Sequence, residues 1–335
     1  MTVAIEARTL RFRRPVRTAF GELRERTVLE LEIDGGRGEA APLEPYDGVS
    51  LRSVREALEA YAPVLARASE LGGAAVLDGC REIADVPQAL AAVDLALWDR
   101  AGRREGRPVA ALLTDRPAAE VPVNAIVAAE DRAGAAAAAA EAARAGFGCV
   151  KVKVGIGDDA GRVAAVRAAA GPEVDLRLDA NGAWSVEEAI AAIEALAPAG
   201  LELVEEPVHG VDALRQVRRA VPVRVAMDET AAESGALMSA AADAVCLKLS
   251  RCGGISGLLA AAELVRTTGA EPYVASTFDG PIGIAAAVHA AAALAPLPAC
   301  GLATLELFDG VDPGPLAVAG GAIRVPAAPG LGVPG

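Results

Sequence analysis

Charged residues that recur at a near-constant step, each at the end of a short apolar run, leave few folds open to a chain. Here the recurrence runs unbroken from residue 151 to residue 254. Lys151-Val152-Lys153 closes one run and Leu178-Asp179-Ala180-Asn181-Gly182 the next. Val204-Glu205-Glu206-Pro207, Met227-Asp228-Glu229-Thr230 and Leu247-Lys248-Leu249-Ser250-Arg251-Cys252-Gly253-Gly254 follow. The steps are 26 residues from 153 to 179, 26 from 179 to 205, 23 from 205 to 228 and 20 from 228 to 248. Ala-rich helical stretches such as Val186 to Ala197 fill the intervals. Strand, polar tip and helix in repetition form the βα unit of a parallel barrel, whose strand C-termini converge on one mouth. The tips therefore bring lysines and acids face to face.

The flanks fit around such a barrel. Val3 to Ala7 and Val28 to Ile33 alternate with period two, and Asp34-Gly35-Gly36 is a hairpin turn, so residues 1 to about 42 predict a small antiparallel sheet. Arg14 to Gly21 reads as the loop joining its first two strands. Helical spacing over 53–67 and 87–104 completes an α+β domain across residues 1–110. Residues 106–120, with Gly106, Pro108 and Pro117, form the linker. The barrel is expected over 111–315. Its first strand is Val121 to Val127, its seventh lies near 272–276 and its eighth near 302–307, with helices over 131–145 and 281–295 among its crossovers. That makes eight strands but only seven clear crossover helices. Residues 316–335 read as a last strand pair returning to the first domain.

Net charge and cysteine usage narrow the partners. A charge of −13 and a pI near 4.8 make nucleic acid and anionic membrane surfaces poor partners, and neither is expected. Aromatics at 3% also argue against base stacking. Cys80, Cys149, Cys246, Cys252 and Cys300 are odd in number and scattered, as expected of reduced thiols in a cytoplasmic protein. No charged-then-apolar leader is visible at the N-terminus. The only histidines are His209 and His289, which argues against a Ser-His-Asp triad or a three-histidine zinc site. His289 reads as a packed helix residue and His209 as a loop residue.

The tips carry a definite chemistry. Lys151 and Lys153 are two apart on a strand and point the same way. Two neighbouring ammonium groups lower each other's pKa, which would let one act as a base near neutrality. Asp179, Glu205 and Asp228 come from three adjacent tips, and three crowded carboxylates call for a cation. With no histidine or cysteine in the set, the hard-cation choice is Mg²⁺, and Mn²⁺ would also serve. A substrate carboxylate sharing that cation would lose its α-proton more easily. Lys153 and Lys248 would approach that carbon from opposite sides. Glu206 and Glu229 alternate to the other face and stay outside the ligand set. Taken singly, Lys-x-Lys is usually a solvated edge pair and Asp-Ala-Asn-Gly a turn. Their order and spacing together carry the weight.

Over its whole length the chain resembles the enolase superfamily, and within it the muconate-lactonizing (mandelate racemase/muconate lactonizing enzyme) subgroup. The matching residues are Lys151-Val152-Lys153, Asp179 in Leu-Asp-Ala-Asn-Gly, Glu205 in Glu-Glu-Pro, Asp228 in Met-Asp-Glu-Thr and Lys248 before Cys-Gly-Gly. The resemblance implies an α/β fold, a (β/α)7β TIM-like barrel with an α+β capping domain. It also implies Asp179, Glu205 and Asp228 as metal ligands and Lys151, Lys153 and Lys248 as the catalytic lysines. Within the subgroup, Val274 to Gly280, Ile284 to Leu294, Ala299 to Thr304 and Gly38 to Asp47 resemble o-succinylbenzoate synthases, which implies a dehydrating lyase. Dipeptide epimerases carry Asp-x-Asp on strand eight. Leu305-Glu306-Leu307-Phe308-Asp309, read as that place here, departs from it. N-succinylamino acid racemase, dipeptide epimerase and muconate cycloisomerase are the alternatives. A Schiff-base aldolase and a non-catalytic carboxylate-binding barrel stand for other classes. The expected partner is a small carboxylate substrate, and a homo-oligomer is compatible with the sequence.

Overall fold

The computed structural model describes residues 3–334. The capping domain opens with β1 (Val3–Thr18), β2 (Gly21–Ile33) and β3 (Gly36–Ala40), an antiparallel sheet in that order. Arg14 to Gly21 is not a loop. Pairing continues to Thr18↔Gly21, and a register shift between Arg11 and Val16 accommodates Pro15. Proline is tolerated there because β1 is an edge strand and a bulge needs no ladder donor. The result is a long hairpin whose tip, Ala19-Phe20, reaches beyond its own domain.

The helix Pro87–Glu105 brackets the two domains. Proline starts it and Gly106, at φ 66°, ends it in the left-handed conformation. The backbone of β3 packs so closely on this helix that a Cβ at Gly38 would lie 1.8 Å from the Ala92 carbonyl oxygen. Two buried acids on the helix bind other elements. Asp94 accepts from the backbone and hydroxyl of Ser256, which begins a barrel helix. Asp99 accepts from the Arg37 and Leu331 backbone N–H groups, at 2.9 and 2.7 Å. A further helix, Gly73–Ile83, lies outside the helical stretches the spacing predicts, and Val109–Leu113 is helical within the expected linker.

The predicted first barrel strand is split. β4 (Glu120–Pro122) leaves the barrel, whereas β5 (Ala125–Val127) belongs to it. The barrel continues as β6 (Cys149–Lys153), β7 (Asp175–Asp179), β8 (Leu201–Glu205), β9 (Arg224–Met227), β10 (Ala244–Lys248) and β11 (Glu271–Ala275). These seven strands form one parallel sheet in chain order. The eighth position lies earlier than expected and is only two residues long. Cys300 bridges Val123, and Gly301 bridges Ala275. Four backbone hydrogen bonds of 2.8–3.0 Å close this seam: Cys300 N–H to Pro122, Asn124 N–H to Cys300, Gly301 N–H to Val274 and Ser276 N–H to Gly301. Leu305–Leu307, expected within strand eight, is a 3₁₀ turn. β12 (Val318–Ala319) and β13 (Ala322–Arg324) pair with β4 in a third sheet. No helix among the described residues is long and apolar enough to cross a membrane.

A buried carboxyl pair joins cap to barrel. Glu39 on β3 accepts from the Gly280 N–H at 2.7 Å, at the start of the barrel helix Pro281–Leu294. Burial, and Asp279 beside it, push the Glu39 carboxyl from 4.5 up to about 8. Between those values the unfolded chain has released this proton while the folded chain keeps it. Its contribution to stability is therefore fully present below pH 4.5 and is lost as pH rises towards about 8. Glu39→Gln, which has no proton to hold, is expected to flatten that part of the Tm–pH curve. An unchanged slope in differential scanning calorimetry would contradict it.

Candidate active site

Period-two alternation decides which residues enter the barrel. Counting back from each strand tip puts Lys151, Lys153, Arg177, Asp179, Leu203, Glu205, Cys246, Lys248 and Tyr273 inside. The interior below the mouth is filled by Arg177, which donates to Glu202 at 2.6 and 2.9 Å and lies over the Tyr273 ring, 5.1 Å from its centroid. Tyr273 in turn donates its hydroxyl to Glu205 Oε2 at 2.7 Å.

The six charged residues read from the sequence come together at the mouth. Lys153 on β6, Asp179 on β7 and Glu205 on β8 are in direct register. Lys151 Nζ bridges Asp179 Oδ2 at 2.9 Å and Glu205 Oε1 at 3.0 Å. Lys153 Nζ lies 2.8 Å from the same Asp179 oxygen and also donates to Asn181 Oδ1. Across the mouth, Lys248 Nζ lies 2.8 Å from Asp228 Oδ2. Lys153 keeps 24% of its side chain exposed, against 13% for Lys151 and 8% for Lys248, so Lys153 is the lysine most open to the mouth.

These contacts reverse one sequence expectation. Burial draws the Lys151 pKa down, but Asp179 and Glu205 outweigh it and the net shift is upward. Lys248 is raised too, because Asp228 outweighs its burial. The carboxylates do not respond alike. Burial raises Glu205, only partly countered by Lys151, whereas for Asp179 and Asp228 the neighbouring lysines overcome burial and lower the pKa.

The donor set suits a hard divalent cation. Glu205 and Asp228 offer oxygens within 4.8 Å of each other and of Cys246 Sγ. Asp179 lies outside that tight trio but shares the Lys151 ammonium with Glu205. Three carboxylates supply the oxygen donors that Mg²⁺ takes. We favour the three oxygens over the thiol, since burial pushes the Cys246 thiol well up and Mg²⁺ prefers oxygen.

Several contributors have no signature in the local sequence. Tyr46, from the cap, donates to Asp228 Oδ1 at 2.9 Å, and Lys248 sits 5.4 Å from its ring centroid. Arg251 donates to the Tyr46 hydroxyl at 2.6 Å. Glu206, at φ 40°, turns away from the mouth and accepts from the Asp228 and Thr230 backbone N–H groups at 2.7 and 3.0 Å, which fixes the Asp228 tip. His209 lies 3.0 Å from Glu206. His289 is buried and accepts the Ala110 N–H.

A cavity of about 980 Å³ opens above these groups. The β1–β2 hairpin lines it with Arg13, Arg14, Arg17 and Phe20, and the cap adds Leu43 and Tyr46. Arg17 pairs with Glu130 and Arg13 donates to the Glu306 carbonyl, whereas Arg14 has no partner among the described residues. The strand-eight side contributes Gly301 and Thr304. The tip of that strand, Cys300-Gly301-Leu302-Ala303, holds no acid.

Comparison with known proteins agrees with this architecture. The family model for the mandelate racemase/muconate lactonizing enzyme N-terminal domain matches residues 1–114, and the enolase C-terminal domain-like model matches residues 134–334. L-Ala-D/L-Glu epimerase of Bacillus subtilis is 32% identical over 342 residues, 97% of this chain and 92% of that protein. o-Succinylbenzoate synthase of Thermobifida fusca is 41% identical over 200 residues, 56% of this chain and 61% of that protein. The dipeptide epimerase of Enterococcus faecalis, solved with Mg and L-Leu-L-Tyr, superposes with a TM-score of 0.88 at 27% identity and covers 98% of both chains.

Proposed function

This chain belongs to the mandelate racemase/muconate lactonizing enzyme group of the enolase superfamily and is an enzyme of that kind, and we propose that it removes the proton α to a carboxylate and dehydrates its substrate to o-succinylbenzoate. Asp179, Glu205 and Asp228 would hold Mg²⁺. When bound, that ion gives a substrate carboxylate somewhere to place the charge that builds as the α-proton leaves. Lys153, open to the cavity, takes the proton. The β-hydroxyl then leaves as water with the proton from Lys153, a C–H and a C–O bond are lost, and the ring becomes aromatic. Lys248 moves no proton in this sequence, and its charge faces the ring as a cation–π partner.

One observation carries the choice of substrate. The strand-eight tip presents no carboxylate to hold a substrate ammonium, while the hairpin brings Arg13, Arg14 and Arg17 to the cavity. Glu306, on the 3₁₀ turn, lines the cavity but is exposed, and of the other acids at its rim Glu130 is taken up by Arg17 and Asp131 by a helix N-terminus. That balance favours an anionic succinyl arm over a dipeptide's cationic end. A second reading, racemisation or epimerisation, would have Lys248 deliver a proton on the face opposite Lys153, and its position across the mouth is compatible with that. Its other support is the full-length likeness to an epimerase.

The test is a product screen of the Mg²⁺-supplemented enzyme. It covers the hydroxylated cyclohexadiene precursor of o-succinylbenzoate, N-succinylamino acids, dipeptides and muconates. Aromatic product from the precursor supports dehydration. Epimerised dipeptides or N-succinylamino acids without it would overturn the substrate assignment. Lys248→Ala separates the two chemistries further. It is expected to abolish any racemisation while leaving solvent deuterium exchange from the Lys153 side. Retained racemisation would remove Lys248 from the second reading.

A further inference from the structure

Lys153 is held by a chain of contacts that begins one residue beyond a proposed metal ligand. Its Nζ has two acceptors, Asp179 Oδ2 at 2.8 Å and Asn181 Oδ1. Asn181 Nδ2 donates to Glu229 Oε1 at 2.9 Å. The Asn181 backbone N–H also donates to Asp179 Oδ1 at 3.1 Å. Asn181 sits at φ 44°, a left-handed conformation that asparagine tolerates better than most residues. One residue thus touches both a proposed metal ligand and the proposed base. The other Glu229 oxygen, Oε2, is buried with no hydrogen-bond partner. Among the described residues Lys248 has no comparable amide contact: its acceptors are Asp228 and the Cys246 sulfur, with the Tyr46 ring beside it.

An asparagine amide is nearly symmetric in shape, so its neighbours decide which end faces the lysine. With oxygen towards Lys153, the amide accepts a proton from Nζ. With nitrogen towards Lys153, it would repel the ammonium and compete for the lone pair of the free amine. A neutral lysine amine has two N–H donors and one lone pair. When Asn181 Oδ1 and Asp179 take the two donors, the lone pair is left pointing away from both, towards the cavity that Lys153 lines. The direction of the base then depends on this amide.

We propose that Glu229 and Asn181 are positioning residues for Lys153: Glu229 fixes the amide of Asn181, and Asn181 aims the lysine lone pair at the substrate α-carbon. This rests on the assignment of Lys153 as the base. It also ties the base to the metal-binding strand, because Glu229 follows Asp228 directly in the chain.

The experiment compares wild type with Glu229→Leu and Glu229→Gln, all supplied with Mg²⁺. The probes are the cyclohexadiene precursor and both enantiomers of N-succinylphenylalanine in D₂O, and Mg²⁺ affinity is measured separately by calorimetry. Leucine removes the acceptor, and its expected effect is a fall in α-proton removal of about tenfold, the upper end for one lost hydrogen bond, with KM and Mg²⁺ affinity within about twofold of wild type. Glutamine keeps a carbonyl acceptor without the charge, and is expected to recover most of the rate. If the enantiomers exchange, the Leu variant slows the one whose α-proton faces Lys153 and spares its mirror image. Equal loss in both variants, or equal loss for both enantiomers, would assign Glu229 a general electrostatic or structural role and overturn the proposal. So would an unchanged rate in the Leu variant. A wild-type protein that removes no α-proton from any probe would instead refute the assignment of the base itself, and this inference with it.

Discussion

Lys153→Ala is expected to fold, to bind Mg²⁺ and to turn over about 10²–10⁴ times more slowly, the usual worth of a positioned general base. No neighbour can take its place. Lys151 lies two residues away, but its ammonium bridges Asp179 and Glu205 and its pKa is held up by them. Lys248 stands across the mouth with its ammonium on Asp228. The loss should appear in kcat rather than KM, because the side chain acts on the reacting proton and not on the carboxylate. Steady-state kinetics with the substrate found by the product screen, together with calorimetric metal titration, checks both halves. A near-wild-type kcat would move the base elsewhere.

Asp228→Asn is the second large effect. The two residues have the same shape, Glu206 fixes the backbone at this tip, and Tyr46 can still donate to the remaining oxygen, so the fold should persist. The charge does not persist. Mg²⁺ affinity is expected to fall by more than about 100-fold, the most that loss of a ligand's supporting partner alone typically costs. Activity should fall with it. Lys248 also loses the carboxylate that most strongly raises its pKa. Equilibrium dialysis or titration calorimetry measures the first effect and circular dichroism verifies the fold. Full activity of the wild type in excess EDTA would remove the metal from the mechanism altogether.

The positions of the charged residues were legible in the sequence because each stands at a strand end, where the alternating pattern meets a turn. The register Lys153↔Asp179↔Glu205 follows from that spacing. What surrounds them was not legible, for identifiable reasons. Tyr46 reaches Asp228 from 182 residues away in another domain, and no local period reports such a contact. Tyr273 lies inside an apolar run with no polar tip to mark it, although counting back two from Ala275 would have turned it inward. The Gly73–Ile83 helix starts on glycine and carries Gly79, against helical propensity. Leu302 to Leu307 has the apolar content of a strand, yet the closing contacts fall on Cys300 and Gly301, too short a segment to show any period. The upward shift of Lys151 was missed for a physical reason. The spacing reveals that two lysines are neighbours, but not that two carboxylates reach one of them first.

The two-residue closure at Cys300 and Gly301 divides the barrel into halves that should breathe differently. Only two of its four hydrogen bonds, those between Cys300 and Pro122 and Asn124, join segments distant in the chain, so little local bonding holds that side of the seam. In native-state amide exchange the Asn124, Ser276, Cys300 and Gly301 N–H groups should open at lower free energy than those of β6 to β10. Lys153, Lys248 and the three acids lie on or next to strands of the arc expected to exchange slowly. Ser276, Gly301 and Thr304, which face the rest of the substrate cavity, flank the fast-exchanging one. If exchange follows that order, the wall proposed to select among substrates would loosen and repack without disturbing the wall that carries the lysines and acids.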